Sequence, residues 1–301
     1  MPAGKMHVGE PDIDTALVTR LIAGQFPRWA SLPVERVDSA GTSNAMYRLG
    51  RDMVVRLPRT PGSAADVRTE QVWLRRLAPG LPVAVPVPLG TGLAAEGYPW
   101  PWSVYGWLPG ATAVVGAIAE PDLLAQDLAE FTAALHRADT VDAPLSYRSE
   151  PLGERDTGTR AAIAELGANG DIDAEAAATV WDEALPAPLS SGPPVWIHAD
   201  LQPGNVLLAD DRLAAVIDFG CAGLGDPAVD LIAAWYLLPA GARPAFRAAL
   251  GADDASWTRG RGWALSIAVA ELSYYRGTNP VMAATARHVI GELLTVRPAR
   301  D

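Results

Sequence analysis

Short apolar runs broken by turns fill the first hundred residues, while apolar positions three and four apart fill most of the rest. After Asp12, the spacing of Ile13, Leu17 and Leu21 predicts a capped amphipathic helix over 12–24. Between Val34 and Leu49 two strand-like runs flank a small polar turn, Ser39 to Asn44. Met53 to Pro58 reads as a strand with Arg56 inside it, and 66–78 as a helix carrying Glu70. Prolines hold Leu81 to Leu89 extended, and the strand that contains Ser103, Val104 and Tyr105 ends in a Gly/Pro break at Gly110. Beyond it, Leu124, Leu128, Phe131 and Leu135 step by four, three and four, the period of a helix. Further helices are predicted over 159–167, 172–185, 257–276 and 280–294, with another started by Asp226 and Pro227.

Two strand-like runs in the second half end on groups that carry chemistry. Val195 to Asn205 reads VWIHADLQPGN, placing His198, Asp200 and Asn205 just after its apolar start. Ala214 to Gly220 reads AAVIDFG and delivers Asp218. A tight turn at Asp210 and Asp211 lies between the runs, so the two strand ends can meet at one mouth. Carboxylates and an amide converging there suit Mg²⁺, which shares hard oxygen ligands between protein carboxylates and polyphosphate.

Charge and cysteine usage narrow the partners. Residues 1–106 hold 11 basic and 9 acidic side chains, whereas 107–301 hold 13 basic and 26 acidic ones. An acidic second half disfavours nucleic acid, whose phosphates need basic surfaces, and would attract a polycation. A solvated acidic surface explains the same imbalance. No apolar run is long enough for a membrane span, and the polar first 15 residues hold no signal-peptide core. With Cys221 as its one cysteine, the chain forms no internal disulfide and fits a reducing cytoplasm. The thiol itself reads as a small buried side chain, and His136, closing its helix, as a structural cap. Oligomeric state leaves no trace in the sequence.

The HADLQPGN and IDFG stretches, with the GDPAVDL that follows at 225–231, resemble the catalytic and metal loops of the aminoglycoside phosphotransferases. These belong to the protein-kinase-like superfamily and include macrolide kinases. Ala199 stands where that family usually has glycine. The resemblance implies an α+β, bilobal fold: a small β-rich N-lobe over 1–106 and a larger, mainly helical C-lobe over 107–301. It makes Asp200 the catalytic carboxylate facing the acceptor hydroxyl and gives Asn205 and Asp218 to Mg²⁺. Ser39, Thr42, Ser43 and Asn44 would belong to the loop over the nucleotide phosphates, and Ser103, Val104 and Tyr105 to the hinge whose backbone meets the purine edge. The phosphate-binding cation is usually lysine, but Lys5 is the chain's only lysine and lies in the N-terminal tail, so Arg56 takes the role with Glu70 as partner. Glu271 and Tyr274 are candidates for the acceptor wall, with Trp100 and Trp102 as packing or stacking aromatics.

A small-molecule acceptor is expected because only seven residues separate Asp218 from Asp226, leaving no room for a peptide-docking activation segment. The expected reaction is transfer of the γ-phosphoryl group of ATP or GTP to a hydroxyl of an aminoglycoside-type antibiotic. A macrolide or a small metabolite such as homoserine, choline or an amino sugar is the alternative acceptor. Two other readings compete. His198, Asp200 and the distant His288 match an iron facial triad on paper, although His288 lies in a helical run. A nucleotide-binding pseudokinase without turnover would keep the fold and lose the chemistry.

Overall fold

The computed structural model describes residues 10–37, 41, 43–114 and 116–295; Ser39 and Thr42 of the expected phosphate loop lie outside them. The chain forms two compact units. The first takes the chain up to Pro109 and adds Ala215–Gly220; the second is Gly110–Ala214 with the chain from Cys221 onward. No helix among the described residues is long and apolar enough to cross a membrane.

The first unit holds α1 (Thr15–Gln25), β1 (Val34–Arg36), β2 (Asn44–Leu49), β3 (Met53–Pro58), α2 (Pro61–Leu77), β4 (Pro88–Gly92) and β5 (Trp102–Gly106). The five strands form an antiparallel sheet in the order β1-β2-β3-β5-β4. Strand alternation sorts its two faces. Ala45, Tyr47, Leu49, Val55, Leu57, Trp102 and Val104 enter one buried core with Leu17, Val18, Leu21 and Ile22 of α1. Arg56, between Val55 and Leu57, must therefore face the other way. Its register neighbours there are Met46 and Ser103. The short segment Ala215–Gly220 joins this unit through a parallel bridge of Ala215 with Ala84 and a bond from Val216 N to Ala84 O of 3.0 Å.

The helix boundaries shift from expectation for local reasons. Asp14, not Asp12, caps α1, accepting from Leu17 N at 2.7 Å. Thr60 starts α2 a turn earlier than the apolar pattern suggested, with Pro61 in its first turn. Trp102, weighed as a stacking aromatic, is instead fully buried against Phe26, ring centroids 5.5 Å apart. Trp100 is partly buried and packs edge-on against Tyr98 at 5.9 Å.

The second unit contains β6 (Ala111–Thr112), α3 (Pro121–His136), α4 (Asp156–Ala168), α5 (Ala174–Ala184), β7 (Val195–Ile197), β8 (Val206–Ala209), β9 (Arg212–Val216, whose last two residues belong to the first unit), β10 (Gly223–Gly225), α6 (Ala233–Tyr236), α7 (Arg243–Ala249), α8 (Asp254–Tyr275) and α9 (Pro280–Thr295). Strands β8 and β9 turn at Asp210 and Asp211, both at positive φ as a two-residue hairpin turn demands. The helix expected after Asp226 begins as a 3₁₀ stretch, Pro227–Ile232, before α6. Helix α8 is packed by α4, α5, α9 and that 3₁₀ stretch. Two glycines permit the approach: a Cβ on Gly260 would lie 2.6 Å from Leu231 Cβ, and one on Gly262 2.6 Å from Ala184 Cβ.

The Trp102 indole lies across β4, donating to Leu93 O at 3.1 Å. A Cβ on Gly92 would sit 1.9 Å from its Cε2. Gly92→Ala is expected to cost about 2–3 kcal/mol in urea unfolding, the scale of overpacking. Gly24→Ala, exposed in α1 with no atom within 4 Å of the added Cβ, should instead gain about 0.5–1 kcal/mol of helix propensity. Equal midpoints for the two variants would refute this packing.

Candidate active site

In the first unit, Arg56 is a nearly buried cation whose five donor hydrogens are all used. Nη1 donates to both oxygens of Glu70, at 2.6 and 2.7 Å, and Nη2 to Asp218 Oδ1 at 2.5 Å. With its amide oxygen turned toward the guanidinium, Asn44 accepts from Nη2 at 2.9 Å and Nε at 3.0 Å. Burial by itself would lower the Arg56 pKa, but the charges of Asp218 and Glu70 overcome it and hold the value well above that of ordinary arginine. Tyr105 OH adds a bond of 2.8 Å to Glu70 Oε2. A lysine ammonium offers three donors from one point and could not serve this arrangement.

Asp218 sits at φ +63°, a left-handed conformation that aspartate tolerates, and its side chain stays 40% exposed. Only its Oδ1 is bonded to Arg56. Gly220 leaves space beside it: an added Cβ would meet Asp66 Oδ2 at 3.2 Å and Asp218 Oδ1 at 3.4 Å. Burial pushes the Asp66 carboxyl up to about 6, with the charge of Glu70 adding to the rise. Asp66 lies one turn before Glu70 on α2, and sequence reading gave it no role.

The other predicted nucleotide contacts divide. Ser43 is exposed, and its carbonyl accepts from Arg59 N at 2.9 Å. Ser103, Val104 and Tyr105 are buried within β5, a strand paired on both sides. The Ser103 hydroxyl accepts from Gln71 Nε2 at 2.8 Å, so this side chain is turned toward α2. The side chains of Ser103 and Tyr105 meet α2, and that of Val104 enters the core shared with α1.

In the second unit the loop after β7 is braced by a fully buried carboxylate. Asp230 Oδ1 accepts from Ala199 N at 2.7 Å, and Oδ2 accepts from His198 N at 3.0 Å and lies 3.1 Å from His136 Nε2. His136 is therefore structural, as its place at the end of α3 suggested. His198, fully buried, accepts from Asp200 N through Nδ1 at 3.2 Å. Ala199 stands at φ +65°, which explains the glycine usual at this position in the resembled family. That residue is buried, its methyl group accommodated at a conformational cost.

Asp200 is held on both oxygens. Asn205 Nδ2 donates to Asp200 Oδ2 and to its carbonyl, each at 2.8 Å, which leaves the Asn205 amide oxygen for a cation. Gln202 Nε2 donates to Asp200 Oδ1 at 3.0 Å, and Arg148 Nη1 reaches the same oxygen at 3.3 Å. The Arg148 guanidinium also donates to Ala199 O. No pattern in the sequence marks Arg148, which lies between the helical stripe ending at Leu135 and the helix predicted over 159–167. The segment is tied down by Ser146 N to Leu224 O at 3.0 Å and by Ser146 Oγ to Cys221 O at 2.7 Å. A Cβ on Gly223 would lie 2.5 Å from Ser146 N, so only glycine allows the approach. Cys221, the chain's one cysteine, is partly buried.

Glu271 of α8 joins the same network, accepting from Gln202 Nε2 at 2.6 Å and from Tyr236 OH at 3.0 Å. Tyr274, one turn later, is 58% exposed and packs edge-on against Tyr275 at 4.8 Å. His288 is exposed on α9, whereas His198 is fully buried. Among the described residues no three His, Cys, Asp or Glu side chains could hold a metal, so the iron triad gains no support.

Arg56→Lys should lose about 1–3 kcal/mol in urea unfolding, because buried Asn44 and Glu70 are left short of donors; a loss under about 0.5 kcal/mol would refute the fork's structural weight. Ala199→Gly should gain about 0.5–1 kcal/mol, the left-handed strain relieved less the added freedom of the unfolded chain. A destabilised Ala199→Gly protein would contradict the strain.

A family model described as "Phosphotransferase enzyme family" matches residues 35–263. No curated protein matches the chain. Among solved structures, the GDP complex of wild-type aminoglycoside 2'-phosphotransferase-IIIa is similar with a TM-score of 0.73 and 20% identity, covering 94% of this chain and 99% of that one. The macrolide 2'-phosphotransferase MphH from Brachybacterium faecium, as apoenzyme, is similar with a TM-score of 0.60 and 24% identity, covering 95% and 99%. The ADP-bound aminoglycoside phosphotransferase APH(2'')-Ib gives 0.59 and 16%, covering 94% and 97%. At these identities the likeness establishes the fold: an antiparallel N-terminal sheet and a helical C-terminal part of kinase type. With the family model spanning most of its length, the chain belongs to the phosphotransferase enzyme family, APH.

Proposed function

We propose that this phosphotransferase moves the γ-phosphoryl group of ATP or GTP to a hydroxyl of an aminoglycoside-type antibiotic. The observation that carries the mechanism is Asp200: a partly exposed carboxylate fixed on both oxygens in a loop braced by Asp230. Asp200 orients the acceptor hydroxyl and takes its proton as the new oxygen–phosphorus bond forms. The bond to the bridging oxygen breaks, and the nucleoside diphosphate leaves. Such transfer depends on positioning and charge neutralisation more than on covalent chemistry by the protein.

Asn205 and Asp218 fit a hard cation. The Asn205 amide nitrogen is spent on Asp200, so its oxygen is the end left to coordinate, and Asp218 keeps Oδ2 outside the Arg56 pair. Bound Mg²⁺ would supply charge neutralisation of the phosphate oxygens. Arg56, oriented by Glu70 and Asn44, steadies the phosphates, and the backbone of the Ser43–Asn44 turn lies over them. The GDP and ADP bound in the similar structures are in keeping with either nucleotide as donor. We place the reaction in the cytoplasm, where nucleoside triphosphates are held and Cys221 stays reduced.

A macrolide acceptor is the second reading, and one observation favours it. The acids that made a polycation attractive are largely committed: Asp171 pairs with Arg276 and Arg287, Asp182 with Arg160, and Glu183 with Arg261. Meanwhile Val141, Leu145 and Tyr147, on the segment leading to Arg148, are about two-thirds exposed and apolar.

Nucleoside diphosphate release from ATP and GTP with Mg²⁺ tests these readings across aminoglycosides, macrolides and amino alcohols, with mass spectrometry of the product. Stimulation by one class fixes donor and acceptor together. Nucleotide binding without turnover across the panel would favour a pseudokinase. Asp200→Asn is expected to bind nucleotide within about threefold of wild type and lose about 10²–10⁴ in turnover. Near-wild-type turnover in that variant would overturn the mechanism.

A further inference from the structure

The Glu271 carboxylate was a candidate for the acceptor wall, yet both its oxygens already receive donors. Gln202 Nε2 lies 2.6 Å from Oε1 and Tyr236 OH 3.0 Å from Oε2. Gln202 is itself 7% exposed and locked in backbone, its N–H on Asp200 O and its carbonyl on Asn205 N, each at 2.9 Å. Its side-chain nitrogen stands between two carboxylates, Asp200 at 3.0 Å and Glu271 at 2.6 Å.

A glutamine amide has a donating end and an accepting end, and nothing in its own shape says which points where. Flanked by two carboxylates, it has one satisfactory orientation. The NH₂ group must lie between them, one hydrogen to each. Turned over, its oxygen would face two acceptors, and each carboxylate would lose one donor in a partly buried site. We propose that Glu271 is a positioning residue: through Gln202 it fixes the donor end of that amide on Asp200 Oδ1 and so sets the direction in which the catalytic carboxylate meets the acceptor hydroxyl. This rests on Asp200 having the role assigned above.

The groups facing Glu271 support the assignment. They are Gln202 and Asp200 from the catalytic loop, Tyr236 from α6 and Arg148 from the segment after α3. Burial pushes the Glu271 carboxyl up to about 7, with the charge of Asp200 raising it and Gln202, Arg148 and Tyr236 opposing. Below pH 7 the proton carried by Glu271 can be donated to the Gln202 amide oxygen, which releases the amide from its single orientation. Above pH 7 the carboxylate restores it. Turnover therefore rises with pH through this range. The sign for stability is opposite: a carboxyl whose folded value is raised contributes stability that is lost as pH rises through about 7.

The test combines two readouts. In the free protein, the Gln202 side-chain NH₂ resonances, assigned by their loss in Gln202→Ala, should shift with pH near 7 in wild type and be unshifted in Glu271→Gln. In turnover at pH 8, Glu271→Gln should lower kcat about ten- to hundredfold with the acceptor KM within about threefold, the scale of a misdirected reacting group. It should melt no lower than wild type at that pH, unlike a residue that only supports the fold. Gln202→Ala should show a similar kcat loss, and adding Glu271→Gln to it should cost nothing more, since Glu271 acts through Gln202.

A raised acceptor KM for Glu271→Gln that persists in the Gln202→Ala background would overturn the proposal and make Glu271 an acceptor contact. A pH-sensitive amide in a Glu271→Gln protein with unchanged kcat would also overturn it while leaving the kinase mechanism intact. Equal turnover by wild type and Asp200→Asn would instead remove the role of Asp200, and with it this proposal.

Discussion

The buried charge of Asp230 is the constraint on which the second unit's chemistry depends. A carboxylate with no exposure is costly unless it is fully hydrogen-bonded. Asp230 meets that cost by taking the backbone N–H groups of His198 and Ala199 together with the His136 ring. Those bonds keep the loop in a shape that includes a non-glycine residue at φ +65°. The strain at Ala199 and the fixed place of Asp200 are two results of the same anchoring: the backbone turns sharply, and the next side chain is delivered outward. Left-handed residues of this kind persist only where the surroundings over-determine them.

The first unit solves a similar problem with opposite charge. Arg56 is buried on the α2-facing side of an antiparallel sheet, and burial alone would disfavour its cation. Glu70, Asp218 and Asn44 use every donor of the guanidinium, so the charge is retained and its orientation set. Tyr105 in turn bonds Glu70, which keeps the acid in register with β5. Arginine in place of lysine thus follows from the number of partners. A single ammonium could satisfy Glu70 or Asp218 but not align the amide of Asn44 as well.

The parts legible in sequence were those that depend on local pattern or spacing. Alternation in β2, β3 and β5 placed the apolar face and turned Arg56 away from it. The kinase pattern of a strand cation paired with an acid on the following helix pointed to Arg56 and Glu70, an ion pair that the structure contains. Asp226 and Pro227 announced a helical start, although the first turns are 3₁₀, with Arg259 bonding Asp226 beneath them. What was not legible depends on tertiary approach. Arg148 lies in a stretch with no periodicity, and only the close contact of Gly223 with Ser146 shows why that stretch is held beside Asp200. Ser103 to Tyr105 carried strand character but no sign of which face each side chain served; Ser103 and Tyr105 meet Gln71 and Glu70, and Val104 faces the α1 core.

The acidic balance of the second half shows how far composition reaches. A net excess of acids from 107 onward describes a long-range field, and such a field affects encounter more than recognition. Recognition depends on which carboxylates remain uncommitted near the reacting group, and here ion pairs and caps have taken many of them. Arg160 spans Asp156 and Asp182, Arg276 spans Glu165 and Asp171, and Asp173 caps α5. Around Asp200 the residues in contact are an arginine, a glutamine and an asparagine, with Glu271 reached only across the glutamine. The field belongs to the unit as a whole, whereas the groups beside Asp200 are arranged to hold its carboxylate in one direction. Val141, Leu145 and Tyr147 before Arg148, and Tyr274 near the end of α8, are by contrast exposed apolar and aromatic side chains.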